Sequence, residues 1–396
     1  MSDGLVSEQV GHAGQAPLVG LRVVEFAHMV MGPACGLMLA DLGADVVKVE
    51  PAGEDGKPAG DNTRRLQGAG TGFFAIMNRN KRSVVLDLKS VEGIAVAKAL
   101  IRRADVLIEN FRPGALDALG LSWEALRAEN PRLIYCSCKG FLPGPYDKRV
   151  ALDEVVQMMG GLAYMTGLPG KPMRAGSSVN DILGGTFAAL GVLAAVEERH
   201  RTGVGKHVQA GLFETNAVLV AQHMAQAVIS GEAPPPMGVR RPAWPIYDIF
   251  ATSDGGQVFV GVVTDTQWRV FCESFGLVGL AADPGLSTQR ERVMGRERVL
   301  PVVAAALGAF DRAGLMARCE SLGLPFAPIA EPVDLFEDPH LNASGGLVPL
   351  TLPDGRGVRL PALPLSMDGE RLAQRRDLPG VGEHTAEVMA ELGWAG

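Results

Sequence analysis

The sequence predicts an α/β fold, with a parallel sheet in a large unit and a smaller α+β unit after it, and three observations carry that expectation. A β-rich run, an apolar helical stretch and a second β-rich run open the chain at the spacing of a βαβ unit, whose two strands lie parallel. The same alternation then recurs, as in a sheet covered by helices. Finally, the proline-rich passage GEAPPPMGVRRPAWP (231–245) precedes two β-rich runs around a Ser-Asp-Gly-Gly turn, the pattern of a linker followed by a hairpin.

In order, LRVVEF (21–26) is a strand, GPACGLMLADLG (32–43) a helix closed by Gly43, and ADVVKVE (44–50) the next strand. SVVLDL (83–88), a helix over 91–103, DVLIEN (105–110), a helix from Trp123 and RLIYCSCKG (132–140) continue the pattern. Residues 182–201 read as a core helix, HVQAGLFE (207–214) as a strand and 214–230 as a further helix. IYDIFATSDG and GQVFVGVVT form the hairpin, helical segments run from Thr266 to about Gly323, and GEHTAEVMAELGW (382–394) ends in an amphipathic helix.

Composition narrows the function classes. Hydrophobic residues make up 47% and charged residues 20%, as in a compact globular protein. A formal charge of −7 with scattered Lys and Arg provides no attraction for nucleic acid. The opening MSDGLVSEQVGHAGQAPL lacks the basic start and apolar run of a signal peptide. The apolar segment Ile182 to Val196 is shorter than the ~20 residues of a bilayer span, so no membrane partner is expected. Five cysteines, odd and sparse, suit a reducing compartment, and the expected location is the cytoplasm.

Ligands of open parallel sheets gather beyond the carboxyl ends of the strands, where this chain places HMVMG, EPAGEDG and NFRPG. The first turn, HMVMGPACG, lacks G-x-G-x-x-G, and no P-loop appears, so neither a nicotinamide nor a flavin cofactor is expected. Cys136 and Cys138, expected on opposite faces of their strand, have no matching Cys or His pair, so no metal is expected. His28 and His384 have no identifiable Ser or Cys partner, and G-x-S-x-G is absent. Arg240 and Arg241 in GVRRPAWP are candidates to grip a carboxylate bidentately. In SSVNDILGG (177–185), Asp181 precedes an apolar segment that begins with Gly184 and Gly185. An aspartate there suits a helix cap, and a helix start also favours the ionised carboxylate that a nucleophile must be.

Six segments together resemble the CaiB/BaiF family, the class III coenzyme A transferases, which also contains α-methylacyl-CoA racemases. They are GLRVVEFAHMVMGPACGLMLADLGADVVKVEPAGEDG (20–56), NRNKRSVVLDLKS (78–90), ADVLIENFRPGALDALGL (104–121), NPRLIYCSCKGF (130–141), the stretch around Asp181, and GEHTAEVMAELG (382–393). The resemblance implies a Rossmann-like large domain completed by the C-terminal segment, a smaller α+β domain, and an interlocked, ring-like homodimer. The expected bounds are a flexible tail over 1–17, the first part of the large domain over 18–212, a linker over 213–240, a small domain over 241–345, and a linker with the completing segment over 346–396.

For chemistry, the resemblance implies transfer of CoA between an acyl-CoA thioester and a free carboxylic acid, with acyl-CoA as substrate. Asp181 falls on the family's nucleophile and would carry an aspartyl acyl anhydride, then an aspartyl-CoA thioester. Leu86, Lys89, Asn110 and Phe111 fall on CoA-contacting positions, and Met29 and Val30 on the acyl pocket. His28 is placed beside that pocket, and the amides of Gly184 or Gly185 are candidate oxyanion donors. Two departures restrict specificity. Formyl-CoA transferases carry glutamine at the position of Val30 and a glycine-run loop that this chain lacks. The racemases carry a catalytic histidine where this chain, in VALDEV, has Leu152 ahead of Asp153, and leucine carries no proton. A small dicarboxylate acceptor is the expectation. A racemase, and a CoA-binding protein without turnover, are the alternatives.

Overall fold

A computed structural model describes residues 16–53, 59–239 and 243–394. The chain forms two compact units, Met1–Gly238 with Pro339–Gly396, and Val239–Asp338. Residues 339–345, expected in the small domain, therefore belong to the large unit.

The large unit is organised by strands β1 (Arg22–Phe26), β2 (Asp45–Pro51), β3 (Lys81–Leu86), β4 (Val106–Glu109), β5 (Ile134–Lys139) and β6 (His207–Gly211). Their order is β3-β2-β1-β4-β5-β6, with every neighbouring pair parallel. The order reverses between β1 and β4, which opens a crevice at their carboxyl ends. Strand periodicity sorts side chains between two cores. Val23, Val46, Ile108 and Ile134 pack with Cys35 and Leu39 of α1 (Met31–Asp41) and with Ala188 and Val192 of α5 (Val179–Thr202). On the other face, Val24, Val47, Val84 and Leu107 meet Val96 and Leu100 of α2 (Val91–Arg103) and Leu126 of α3 (Trp123–Glu129). Ser90 and Ser122 start α2 and α3 by accepting the amides of Gly93 and Ala125, each cap being worth about 1 kcal/mol.

Cys136 and Cys138 share one face and one core with Cys35. This corrects the expectation of opposite faces, because residues two apart in a strand point the same way. Among the described residues no group of His, Cys, Asp or Glu is arranged to hold a metal.

The strand expected over 207–214 stops at Gly211, and helices α6 (Leu212–Leu219) and α7 (Ala221–Ser230) occupy most of the stretch expected as a linker. Leu212, Thr215 and Asn216 are buried on one side of α6, which is helical spacing. Near the end of the chain, the amide of His384 donates to the Ser83 carbonyl at 3.0 Å. Val85 N donates to Thr385 Oγ1 at 3.1 Å, and Gly382 N to Ser83 Oγ at 2.8 Å. The GEHT segment thus covers the outer side of β3, an edge strand that would otherwise expose unpaired backbone.

The small unit has its own core. Strands β7 (Ile246–Ala251), β8 (Gln257–Val262) and β9 (Phe326–Pro328) form an antiparallel sheet. Val258 and Val260 pack with Trp268 and Phe271 of α8 (Asp265–Ser274), Val299 and Val303 of α9 (Arg296–Leu307) and Leu315 of α10 (Arg312–Ser321). The final helix, α11 (Thr385–Leu392), belongs to the large unit and buries Val388 there.

Candidate active site

The crevice between β1 and β4 is built from two short loops. After β1 the chain passes through Ala27 to Val30, with Met29 at φ 63°, a left-handed conformation that costs a non-glycine residue about 1–3 kcal/mol and persists only when its surroundings impose it. Asn110 supplies that constraint. Its Oδ1 accepts from His28 N at 3.0 Å and its Nδ2 donates to His28 O at 2.7 Å. From below, Lys48 Nζ donates to the Ala27 carbonyl at 2.6 Å.

The His28 ring lies on Phe111, centroids 5.5 Å apart, and both residues border two cavities. One, of about 300 Å³, is lined by Leu86, Lys89, Glu50 and Asp61 as well as the ring pair. The other, of about 690 Å³, is lined by Asn110, Arg112, Lys139, Lys148, Arg149 and Leu152 beside the same two rings. The structure therefore brings together Leu86, Lys89, Asn110, Phe111 and His28, residues that sequence alone placed on three separate segments. Partial enclosure lowers the His28 pKa, with Asp61 opposing and Lys48 reinforcing the shift. Met29 is exposed, whereas Val30 is buried with Ala34, Leu37 and Met77.

Beneath the crevice lies a network of buried charges. Glu25 takes Lys48 at 3.2 Å and Lys81 at 2.8 Å, and Lys48 also reaches Asp61 at 2.8 Å. Burial alone would lower Lys48, but Glu25 and Asp61 raise its pKa. Desolvation wins at Lys81, which falls to about 8 although Glu25 opposes it. Gly36 of α1 makes room for this network, since a Cβ there would meet the Glu25 carboxylate. The signal for these residues was a charge inside each of the apolar strands RVVEF and DVVKVEP.

Asp181 sits in the first turn of α5, half-buried, and it does not cap the helix. That task falls to Asp153, the first residue of α4 (Asp153–Met159), whose Oδ2 accepts from Asn180 N at 2.8 Å and Asp181 N at 3.1 Å. The Asp181 carboxylate accepts no hydrogen bond from the described residues. Burial and the nearby Asp153 charge push its pKa up to about 7, with Arg174 pulling the other way. Asp181 lines neither cavity, but Leu152, next to its capping partner, lines the larger one.

Gly184 and Gly185 lie beyond the first turn, where helix amides bond within the helix. Their lack of side chains lets α1 approach: a Cβ at Gly184 would come 2.8 Å from Met31 Cε, and one at Gly185 2.7 Å from the Ala34 Cβ. This corrects their expected role as oxyanion donors. Arg240 and Arg241 lie outside the described residues.

Comparison with known proteins agrees in extent and type. The sequence pattern of CoA-transferase family III matches residues 18–385. The chain is 36% identical over 389 residues to the succinate–glutarate CoA-transferase of Agrobacterium fabrum, covering 95% of this chain and 96% of that one. It is 32% identical over 385 residues to the succinyl-CoA–D-citramalate CoA-transferase of Chloroflexus aurantiacus, covering 95% and 94%. A CaiB/BaiF family protein from Brucella suis superposes with a TM-score of 0.83 at 34% identity, covering 96% of this chain and 100% of that one. A match of this length to family and fold alike means that the chain belongs to CoA-transferase family III, the CaiB/BaiF enzymes.

Proposed function

We propose that this enzyme moves CoA from an acyl-CoA to a small dicarboxylic acid, with Asp181 as the covalent carrier. The observation that carries the reading is the division of labour at the start of α5: Asp153 takes the helix amides, and Asp181 keeps a carboxylate that accepts no hydrogen bond from the described residues. One Asp181 oxygen attacks the thioester carbonyl, the C–S bond breaks, and CoA leaves as a thiolate, giving an aspartyl acyl anhydride. The thiolate then attacks the Asp181 carbonyl, releasing the donor acid and leaving an aspartyl-CoA thioester. The acceptor carboxylate repeats the two steps in reverse, which restores Asp181 and delivers the new acyl-CoA. Each displacement exchanges one acyl bond for another, so the thioester's energy is conserved.

Small dicarboxylate acceptors are supported by the relatives, named for succinate, glutarate and citramalate. In this reading Leu86, Lys89, Asn110 and Phe111 flank bound CoA, and Arg112, Lys148 and Arg149 around the larger cavity meet its phosphates. The racemase alternative gains no support, because Leu152 stands where a proton-carrying histidine would be needed and Asp153 is committed to helix amides.

The reading includes a homodimer of interlocked chains in the cytoplasm. In support of the dimer, α7 buries none of its residues, and Met224, Val228 and Ile229 are 59%, 85% and 86% exposed, an apolar face suited to a second copy. The five free cysteines are compatible with a reducing compartment.

The test is intact-mass spectrometry of wild type and Asp181→Ala after incubation with a panel of acyl-CoAs. The expected result is a CoA adduct on Asp181 that one small dicarboxylate discharges and the variant lacks. No adduct with any donor, together with solvent deuterium entering the α-carbon of a 2-methylacyl-CoA, would replace the transferase with the racemase.

A further inference from the structure

We propose that Asp153 is a positioning residue for CoA transfer, fixing the first turn of α5 through two amides while leaving the carboxylate of Asp181 clear for attack. The proposal rests on the reading of Asp181 as nucleophile.

Ser178, at the N-cap, makes no side-chain cap bond, so the amides at the start of α5 need another acceptor. Asp153 Oδ2 takes those of Asn180 and of Asp181 itself, at 2.8 and 3.1 Å. Its other oxygen accepts from the Gln157 side chain, and Gln157 Oε1 accepts from Ala175 N at 2.8 Å. One carboxylate thus fastens both the helix start and, through Gln157, the loop that leads into it. It lies beside Leu152, on the wall of the larger cavity, so the start of α4 connects that wall to the nucleophile.

Among the described residues the charges around Asp181 are few. Asp153 and Glu154 come from α4, and Arg174, from the preceding loop, pairs with Glu154 at 3.5 Å. On α6, Glu214 is committed to the Leu142 amide, and the first turn of α1 carries no acid. Asp153 is therefore the negative charge beside Asp181, and the Asp181 carboxyl holds its proton to higher pH because of burial and that neighbour. The arrangement couples position to protonation.

Asp153→Asn keeps an oxygen for the two helix amides and removes the charge, giving up only the bond from the Gln157 side chain. The experiment compares the pH profile of kcat with a direct titration of Asp181, followed by carboxyl NMR of protein labelled with γ-13C aspartate and assigned from the missing signal of Asp181→Ala. Asp153→Asn is expected to move both midpoints down by about one pH unit, so that on the acid side of the profile it turns over faster, relative to its own plateau, than wild type. Asp153→Ala is expected to lower the plateau by about 10–100-fold as well. Unmoved midpoints in Asp153→Asn, with the CoA adduct on Asp181 intact, overturn the role of Asp153 alone. Absence of that adduct from wild type overturns the nucleophile, and with it this role, even if the carboxyl titration shifts.

Discussion

Around Glu25 and at the start of α5, the large unit holds carboxylates away from water under opposite rules. Glu25, fully buried, answers two lysines, and those lysines are further held by Asp61, by the Ala27 carbonyl and by the Pro33 carbonyl. Asp181 is half-buried and has a like charge for its neighbour. A buried charge with every partner in place is part of the scaffold, and removing one member leaves the rest uncompensated. A carboxylate that the fold leaves unpaired is raised in energy before any substrate arrives, which is a property of reacting groups.

Substitutions can break this contrast. Asp181→Ala should have the largest effect, a loss of transfer of at least about 10⁴-fold as for other covalent nucleophiles, with no fall in melting temperature. Assays of activity and thermal unfolding on the same sample check it, and a melting temperature that drops with activity would put Asp181 in the scaffold. Glu25→Ala should do the reverse. Leaving Lys81 without its carboxylate, and Lys48 with Asp61 alone, costs about 3–5 kcal/mol of stability, read from urea unfolding, while the surviving folded fraction turns over normally.

The third prediction concerns pH. The folded-state pKa of Asp181 is raised from 3.8 to about 7, so the folded protein binds the extra proton between those values and loses stability as pH rises through them. Asp181→Asn should therefore melt above wild type by a few degrees at about pH 8 and equal to it at about pH 4. In the proposed mechanism only the carboxylate form of Asp181 attacks, so transfer should show an acid limb near pH 7. Equal melting of the two proteins at both pH values would show that Asp181 is not held unfavourably. The smallest effect belongs to Asn110→Ala, which frees the backbone of His28. It should cost about 1–2 kcal/mol and raise the KM for acyl-CoA more than it lowers kcat, as initial-rate kinetics would show.

The same contrast explains what the sequence could convey. The strands of the sheet were legible because each is short, β-rich and set off by a helix, and the motif around Asp181 marked the helix start on which the proposed nucleophile stands. Its capping partner was not legible, because Asp153 lies 28 residues away and nothing local marks an aspartate as the cap of a different helix. The glycines after Asp181 carried the wrong suggestion: backbone freedom and close helix packing favour the same residue, and only the neighbouring α1 decides between them. The helical stretch over 214–230 was legible, but its membership in the large unit was not, because the proline-rich passage beyond it drew the expected linker forward to residue 213.

The seal over β3 also bears on how the protein is made. Ser83 and His384 are 301 residues apart, so during synthesis the outer edge of the sheet must wait until the segment that far downstream has left the ribosome. The unit over Val239–Asp338, with its own core, can fold while the larger one still lacks its edge. Contacts this distant in sequence slow folding, and an uncovered strand is open to wrong pairing in the interval. A chain cut short just before GEHT would keep every residue of the candidate site and still be the form most prone to aggregate.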